Sequence, residues 1–352
     1  MDAPWMLYGA NGYTGQLIAR EAARRGWQPI LAGRSRERIL PLASELGLEA
    51  RVFDLADRAQ AALALKGIRL VLHCAGPFSA TSGLLIAACL TTGTHYLDIT
   101  GEIGVLEHAH EQGEAARVAG IVICPGVGFD VIPTDCVAAK LKSALPNATH
   151  LALGFHSGSA LSPGTGKTLL ESLANGGKVR KDGRIVSVPL AHKTRRIDFG
   201  DGETLAMTIP WGDVSTAFYT TRIPNIEVYT FATPALVMAA RTANHVRRLL
   251  GASLVQRHLK RMFDKILKGP SGKTREATPA YVWGEVTNEA GQVKSARIMT
   301  ANGYSLTVSG ALAVVEHLMQ REVQGGAYTP ATLVGPDLVV QLLGSRILAL
   351  DE

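Results

Sequence analysis

Little of this chain is charged, aromatic or sulfur-bearing. Of its 352 residues, 19% are Asp, Glu, Lys or Arg, 6% are Phe, Trp or Tyr, and 4 are cysteines. Cys74, Cys89, Cys124 and Cys136 lie among apolar or small neighbours with no CxxC pair. That spacing argues against a zinc site or a disulfide framework and for reduced, buried thiols in a cytoplasmic protein. No apolar run reaches the roughly 18 residues of a membrane span; the longest candidate, Ala232–Leu254, is interrupted by Arg241, His245, Arg247 and Arg248. No basic-then-apolar leader opens the sequence. The expectation is therefore a cytoplasmic protein with no transmembrane segment.

Other absences narrow the function. The net charge is +6, but the positive residues are dispersed, with short clusters only at Arg34–Arg38 and Arg257–Arg261. A nucleic-acid-binding protein gathers such charge on one face, so an anionic small molecule is the better partner. His108 and His110 stand two apart on a helical pattern and point in different directions, which makes no metal pair. Gly164-Thr165-Gly166-Lys167-Thr168 is similar to a P-loop, but Leu161 occupies the position where that loop needs glycine. There is neither an internal repeat nor a low-complexity tract.

The N-terminal part has a regular alternation. Short β-rich runs at Trp5–Tyr8, Pro29–Ala32, Ala50–Phe53, Leu70–Cys74, His95–Asp98 and Ile121–Cys124 are separated by helical patterns at Gly15–Arg25, Arg36–Leu46, Arg58–Leu65, Gly83–Thr92 and Ile103–Ala119. Such alternation specifies an α/β fold, a Rossmann doubly wound parallel sheet, with ligands bound at the C-terminal strand ends. After Asn147 the texture changes. Thr149–His156 and Ile223–Phe231 read as strands. Hairpins are expected over Lys178–Val188 and Tyr281–Met299, and helices over Lys167–Ala174, Pro234–Leu267 and Tyr304–Val323. Strands in hairpins beside separate helices predict a second α+β domain.

The chemistry is concentrated at the predicted strand ends. Gly9, Gly12 and Gly15 form a GxxGxxG turn between the first strand and first helix, with Asn11, Tyr13 and Thr14 completing it. Glycine serves a tight turn, backbone approach to a pyrophosphate and close helix–sheet packing, and the helix N-terminus faces the phosphates. About twenty residues beyond the turn, an NAD site carries an acidic residue for the ribose 2′-hydroxyl. Arg34 stands there, followed by Ser35; a guanidinium suits a 2′-phosphate and an adenine face, so the expected cofactor is NADP. Asp54 ends the third strand, where two readings stay open: acceptor for the adenine amino group, or cap of the helix near Asp57. Ala75, Gly76 and Pro77 end the fourth, where small residues let backbone pass the ribose and nicotinamide, although the proline alone also explains a turn. Asp98, Glu102 and Asp130 follow the fifth and sixth strands. Each is a candidate for orienting substrate or relaying a proton, and each is equally a candidate cap or turn residue.

Together, Tyr8-Gly-Ala-Asn-Gly-Tyr-Thr-Gly15, Ala32-Gly-Arg-Ser35, Cys74-Ala-Gly-Pro-Phe78, Gly93-Thr-His-Tyr-Leu-Asp-Ile-Thr-Gly-Glu102 and Gly128-Phe-Asp-Val-Ile-Pro-Thr-Asp135 resemble the saccharopine dehydrogenase-like oxidoreductases. The resemblance extends to the related trans-acting enoyl reductases. It is strong over roughly residues 5–136 and looser through Ser162–Glu171 and Gly326–Ala331. It implies NADP held by Gly9, Gly12, Gly15, Arg34 and the Ala75–Pro77 turn. It also implies a Rossmann domain over residues 1–146 and a second domain over 147–325 carrying substrate and homodimer contacts. Residues 326–352 would then be a C-terminal segment returning to the Rossmann domain. Residues 147–330 hold neither a recognisable saccharopine-binding set nor a lysine–histidine acid/base pair, so saccharopine is not the expected substrate. The expected activity is NADP-dependent hydride transfer to or from a small-molecule C=N, C=C or C=O group. The alternatives are a non-catalytic NADP-binding redox sensor or scaffold and, more weakly, an atypical short-chain dehydrogenase, which lacks its Tyr-xxx-Lys pair here.

Overall fold

Alternating β-rich and helical runs produce two sheets of opposite character. The computed structural model describes residues 4–158, 175–200, 202–250 and 269–350, with isolated positions at 166, 170, 252, 255–258 and 262. By contact, the chain divides into one unit of Met1–Phe129 with Leu306–Val334, and another of Asp130–Ser305 with Gly335–Glu352.

The first unit is a parallel sheet of β1 (Trp5–Tyr8), β2 (Ile30–Gly33), β3 (Ala50–Val52), β4 (Leu70–His73), β5 (His95–Asp98), β6 (Val122–Cys124) and β15 (Gly326–Ala327), in the order β15-β6-β5-β4-β1-β2-β3. The four residues of β1, β2 and β4 are all buried, as a sheet covered on both faces requires. The strand order reverses between β1 and β4, the place where doubly wound sheets open a crevice.

The helices α1 (Tyr13–Arg24), α2 (Arg36–Leu46), α3 (Arg58–Leu65), α4 (Phe78–Thr92), α5 (Ile103–Glu111) and α6 (Gly113–Ala119) connect these strands. Three details differ from the sequence expectation. The helix read over Ile103–Ala119 is interrupted at Gln112, where both halves meet. A Cβ on the adjoining Gly113 would lie 3.3 Å from the Cβ of Ala327, so the break coincides with close approach of β15. The fourth helix begins at Phe78, ahead of Gly83, because a carboxylate from a later loop satisfies its first amides. β15 itself is a strand too short to read from its sequence. It is held by the Gly326 amide donating to Ile121 O (2.9 Å) and by parallel pairing with β6.

The second unit is mixed. Its sheet runs β10 (Thr194–Asp198), β11 (Glu203–Thr208), β12 (Asn225–Phe231), β7 (His150–Ser157), β13 (Ala280–Thr287), β14 (Val293–Thr300), β16 (Arg346–Leu350), with the hairpin β8 (Gly177–Lys181) and β9 (Arg184–Val188) attached to β12. Only β12 and β7 pair in parallel within it. Both expected hairpins form. β10, β11, β16 and the helix Asp213–Thr221 have no counterpart in the sequence reading. Helix α7 (Ile132–Ala144) lies on β13 at Gly284, where an added Cβ would come within 2.5 Å of Val137 Cγ1 and 2.9 Å of Leu141 Cδ1. That contact places α7 in the second unit, ahead of residue 147 where the sequence texture changes. Residues 326–334 go with the first unit, whereas 335–352 go with the second through β16 on β14. The helix expected over Lys167–Ala174 and the similarity to a P-loop fall outside the described residues, except at isolated positions. So does most of 251–268 within the expected Pro234–Leu267 helix, of which Pro234–Leu250 is observed.

Candidate functional site

In the first unit, the chain leaves β1 through a turn wedged between the ends of β2 and β4. The amides of Gly9 and Ala10 both donate to Ala32 O (2.8 and 3.2 Å), and the Gly12 amide donates to Gly9 O (3.0 Å). Gly9 has φ +82, and a Cβ there would stand 2.6 Å from the Ala75 nitrogen. A Cβ on Gly15 would reach 2.3 Å from Gly9 O. Both positions are therefore demanded by the protein's own packing. Gly12 is less constrained: its Cβ would press on Gly9 O at 3.3 Å and touch Cys74 O at 3.8 Å, which needs a shift of a few tenths of an ångström, whereas the approaches at Gly9 and Gly15 are impossible. Gly12 caps α1 without a side-chain hydrogen bond, and the first turn carries no acidic residue. A twelve-residue helix whose N-terminus is uncapped and free of carboxylates, approached through a residue without a side chain, suits a pyrophosphate.

The edge continues onto β2 and β3. A Cβ on Gly33 would stand 3.1 Å from Asn11 Oδ1, so Asn11 folds over the end of β2 beside Arg34. Arg34 is exposed, without a hydrogen bond or ion pair among the described residues. Ser35 caps α2 without a side-chain bond. The Tyr8 hydroxyl donates to Phe53 O (3.2 Å), and its pKa is pushed up to about 12 by burial and by Asp54, against the opposing pull of Arg34. Asp54 Oδ1 accepts from the Ala56 amide (3.0 Å), while Asp57 caps α3 by accepting from the Gln60 amide (3.0 Å). Of the two readings left open for Asp54, the cap belongs to Asp57.

At β4 the turn Ala75-Gly76-Pro77 enters α4. Glu102 accepts from the amides of Phe78 (3.0 Å) and Ser79 (2.7 Å), one on each carboxylate oxygen, and so caps α4 from a distant loop. Asp98 is fully buried. It accepts from the Tyr96 hydroxyl (2.7 Å) and the amides of Thr100 and Gly126 (both 2.9 Å), tying the end of β5 to the loop after β6. Burial raises its pKa to about 6 against these three donors. Two of the three candidate acid/base carboxylates are thus engaged in holding backbone.

Asp130 belongs to the second unit and follows directly on the loop that leaves β6. Trp211 Nε1 donates to its carbonyl (3.1 Å), but its carboxylate has no hydrogen-bond partner among the described residues. Burial pushes its pKa up to about 7. Nearby Asp213, wholly buried, is held well above the carboxylate range by desolvation, with Asp135 and Asp130 adding to the effect. Asp213 Oδ1 accepts from Thr134 Oγ1 (2.6 Å), and its other oxygen has no hydrogen-bond partner among the described residues.

The structure thus brings Gly9, Asn11, Gly12, Arg34, Asp54 and Ala75 to one edge of the first sheet. Sequence reasoning missed His73, Thr81 and Tyr96, which lie behind that edge, and Thr134 with Asp213 in the second unit. A histidine inside an apolar strand carries no local signal. Its neighbours come from other strands and from the helix that follows β4. No group of three or more His, Cys, Asp or Glu among the described residues is placed to hold a metal. No described helix is long and apolar enough to cross a membrane.

Residues 5–124 match the saccharopine dehydrogenase NADP binding domain. A saccharopine dehydrogenase-like oxidoreductase from Bos taurus is 33% identical over 152 residues, covering 37% of this chain and 35% of that protein. One from Homo sapiens is 30% identical over 205 residues, covering 50% and 47%. A trans-acting enoyl reductase from Mycobacterium leprae (strain TN) is 36% identical over 141 residues, covering 37% and 33%. The chain thus spans between a third and half of the length of these relatives. Apo saccharopine dehydrogenase (L-Glu forming) from Saccharomyces cerevisiae shares the fold, with a TM-score of 0.66, 12% identity, and coverage of 99% of this chain and 100% of that one. The glycine turn, the arginine after β2 and the open end of α1 agree with the cofactor that the domain's name carries. The chain is thus similar to the saccharopine dehydrogenase-like oxidoreductases, and its residues 5–124 match the NADP-binding domain of saccharopine dehydrogenase.

Proposed function

We propose that the chain is an NADP(H)-dependent oxidoreductase that moves a hydride to or from the carbon of a small molecule's C=N, C=C or C=O group. The observation that carries this is the start of α1, uncapped by any side chain and free of carboxylates, behind the Gly9–Gly15 turn. In this reading Gly9, Gly12, Gly15, Tyr13 and Thr14 present backbone to the pyrophosphate. Arg34 and Ser35 take the 2′-phosphate, Asn11 and Asp54 border the adenosine, and Ala75, Gly76 and Pro77 border the nicotinamide ribose. The bound dihydronicotinamide supplies the hydride.

Asp130 is the proton donor in the direction of reduction. A carboxyl with a pKa near 7 and no hydrogen-bond partner among the described residues gives its proton to the nitrogen, oxygen or carbon left negative by hydride addition. Asp98 and Glu102 keep the loops in place and do not exchange protons with substrate. The second domain carries the substrate and a homodimer contact, and the protein works in the cytoplasm; light scattering of the purified protein tests the dimer.

The test is loss of NADPH absorbance across a panel of imines, enoyl thioesters and ketones. One of these classes should turn over, at a rate that falls as pH rises through about 7. Asp130→Asn should lower kcat by about a hundredfold and remove that pH dependence. A second reading, a non-catalytic NADP-binding sensor or scaffold, draws support from the engagement of Asp98 and Glu102 in backbone contacts. NADPH binding without turnover of any class would favour it.

A further inference from the structure

We infer that His73, a wholly buried histidine at the end of β4, is a positioning residue that sets the Ala75–Pro77 turn for cofactor binding. The inference rests on the reading of that turn as the nicotinamide-side wall. Tyr8, His73 and Asp98 are register partners across β1, β4 and β5, and they form a row of polar groups just inside the C-terminal edge of the sheet. Each pins a neighbouring segment: Tyr8 the carbonyl of Phe53, Asp98 the loops after β5 and β6, His73 the turn after β4. Rings of Tyr8, Phe78 and Tyr96 lie around the imidazole, at centroid distances of 5.6, 5.1 and 6.2 Å.

Counting protons fixes how His73 acts. Thr81 Oγ1 lies 2.9 Å from His73 Nε2, 2.8 Å from Ala75 O and 3.1 Å from Pro77 O. A hydroxyl has one hydrogen to give, and a carbonyl can only accept. Thr81 therefore donates to the turn carbonyls and accepts from His73 Nε2–H. That leaves Nδ1 with its lone pair, directed at the Ala75 amide (3.4 Å). One neutral imidazole thus holds Ala75 at its N–H directly and at its C=O through Thr81. Burial keeps the ring in that form, with a pKa down near 3. The same Ala75 nitrogen is the atom that a Cβ on Gly9 would strike. The chain His73–Thr81–Ala75 therefore sets the gap between the nicotinamide-side turn and the phosphate-side turn.

The test uses the full chain and two probes: NADPH, and 2′,5′-ADP, which keeps the phosphorylated adenosine and lacks the nicotinamide half. Thr81→Val should weaken NADPH about fivefold and leave 2′,5′-ADP unchanged. Thr81→Ser, which restores the hydroxyl, should recover most of that loss. His73→Phe, keeping an aromatic ring but no nitrogen, should repeat the Thr81→Val pattern. Equal loss for both probes would mean general damage and would overturn the inference. So would wild-type NADPH affinity in Thr81→Val, or loss in Thr81→Ser as large as in Thr81→Val. Failure of the unaltered protein to bind either probe would instead bring down the cofactor reading itself, and this inference with it.

Discussion

The two units reach their order by different routes. In the N-terminal unit, short parallel strands carry their polar residues at one edge, and the groups that meet there are mostly backbone: the turn at Gly9–Gly15, the open start of α1, and the turn at Ala75–Pro77. In the second unit, side chains far apart in sequence do the joining. Arg180 is buried, donating to Val214 O and Gly183 O (both 2.7 Å) and lying 4.2 Å from the Phe218 ring centre. Arg195 holds Glu285 across the sheet (3.1 Å) and stands over Trp283. A site made of backbone depends on glycines and loop geometry. A scaffold made of side-chain pairs depends on each partner being present.

The largest effect is expected from Arg34→Asp. Exchange of a guanidinium for a carboxylate at the proposed 2′-phosphate site should cost NADPH affinity about a hundredfold and spare NADH. Unchanged NADPH affinity in titration calorimetry would remove Arg34 from the site. Next come two glycines of one turn. Gly12→Ala should fold with a modestly lowered melting temperature yet bind NADPH more than about tenfold more weakly, since Gly9 O has to yield only a few tenths of an ångström to its Cβ, which would occupy pyrophosphate space. Gly15→Ala should fail in folding, because its Cβ would sit 2.3 Å from Gly9 O. Identical behaviour of the pair would contradict the division between packing and ligand glycines.

In the second unit, Arg180→Met should lower stability by about 2 kcal/mol, since it strands one buried and one half-buried carbonyl, while NADPH affinity stays put. Denaturant titration beside a binding assay separates the two. The smallest effects are in pH slopes, and they have opposite sign in the two units. Burial depresses the pKa of His73 to about 3, so the folded state resists its protonation. The stability it supports is full above the unfolded value of about 6.5 and is lost as pH falls towards 3. Asp213 is raised, so its penalty is absent below the unfolded value of about 4 and grows as pH rises. His73→Phe should therefore flatten the acid side of the stability profile, and Asp213→Asn should remove the loss of stability that Asp213 causes as pH rises towards neutral.

Much of the first unit was legible because its signals are local. β1, β5, α2 and α3 begin and end where apolar runs, turn residues and caps say they should. The glycine turn and Arg34 can be read without knowing what they touch. The roles of Asp98 and Glu102 could not. Each was a carboxylate at a strand end, equally apt for catalysis or capping, and only their partners decide: the amides of Gly126, Phe78 and Ser79 come from other loops. The second unit was legible where hairpins close within a few residues, at β8–β9 and β13–β14. It was opaque at β10, β11 and β16. Their pairing is long-range, and in β10 and β16 exposed or half-buried residues blur the alternation that marks a strand.

What the sequence determined by itself is the dinucleotide turn, the parallel sheet behind it and the exchange of an acidic residue for Arg34, since each follows from spacing and from the φ and charge of single residues. Tertiary structure alone decided which of three carboxylates is left without a partner among the described residues, where α7 belongs, and that His73 stands behind the Ala75–Pro77 turn. For α7 the reason is packing against Gly284, and for the other two it is the same. A side chain's hydrogen-bonding capacity is a property of its residue type, but whether that capacity is already spent depends on atoms that folding brings from elsewhere in the chain.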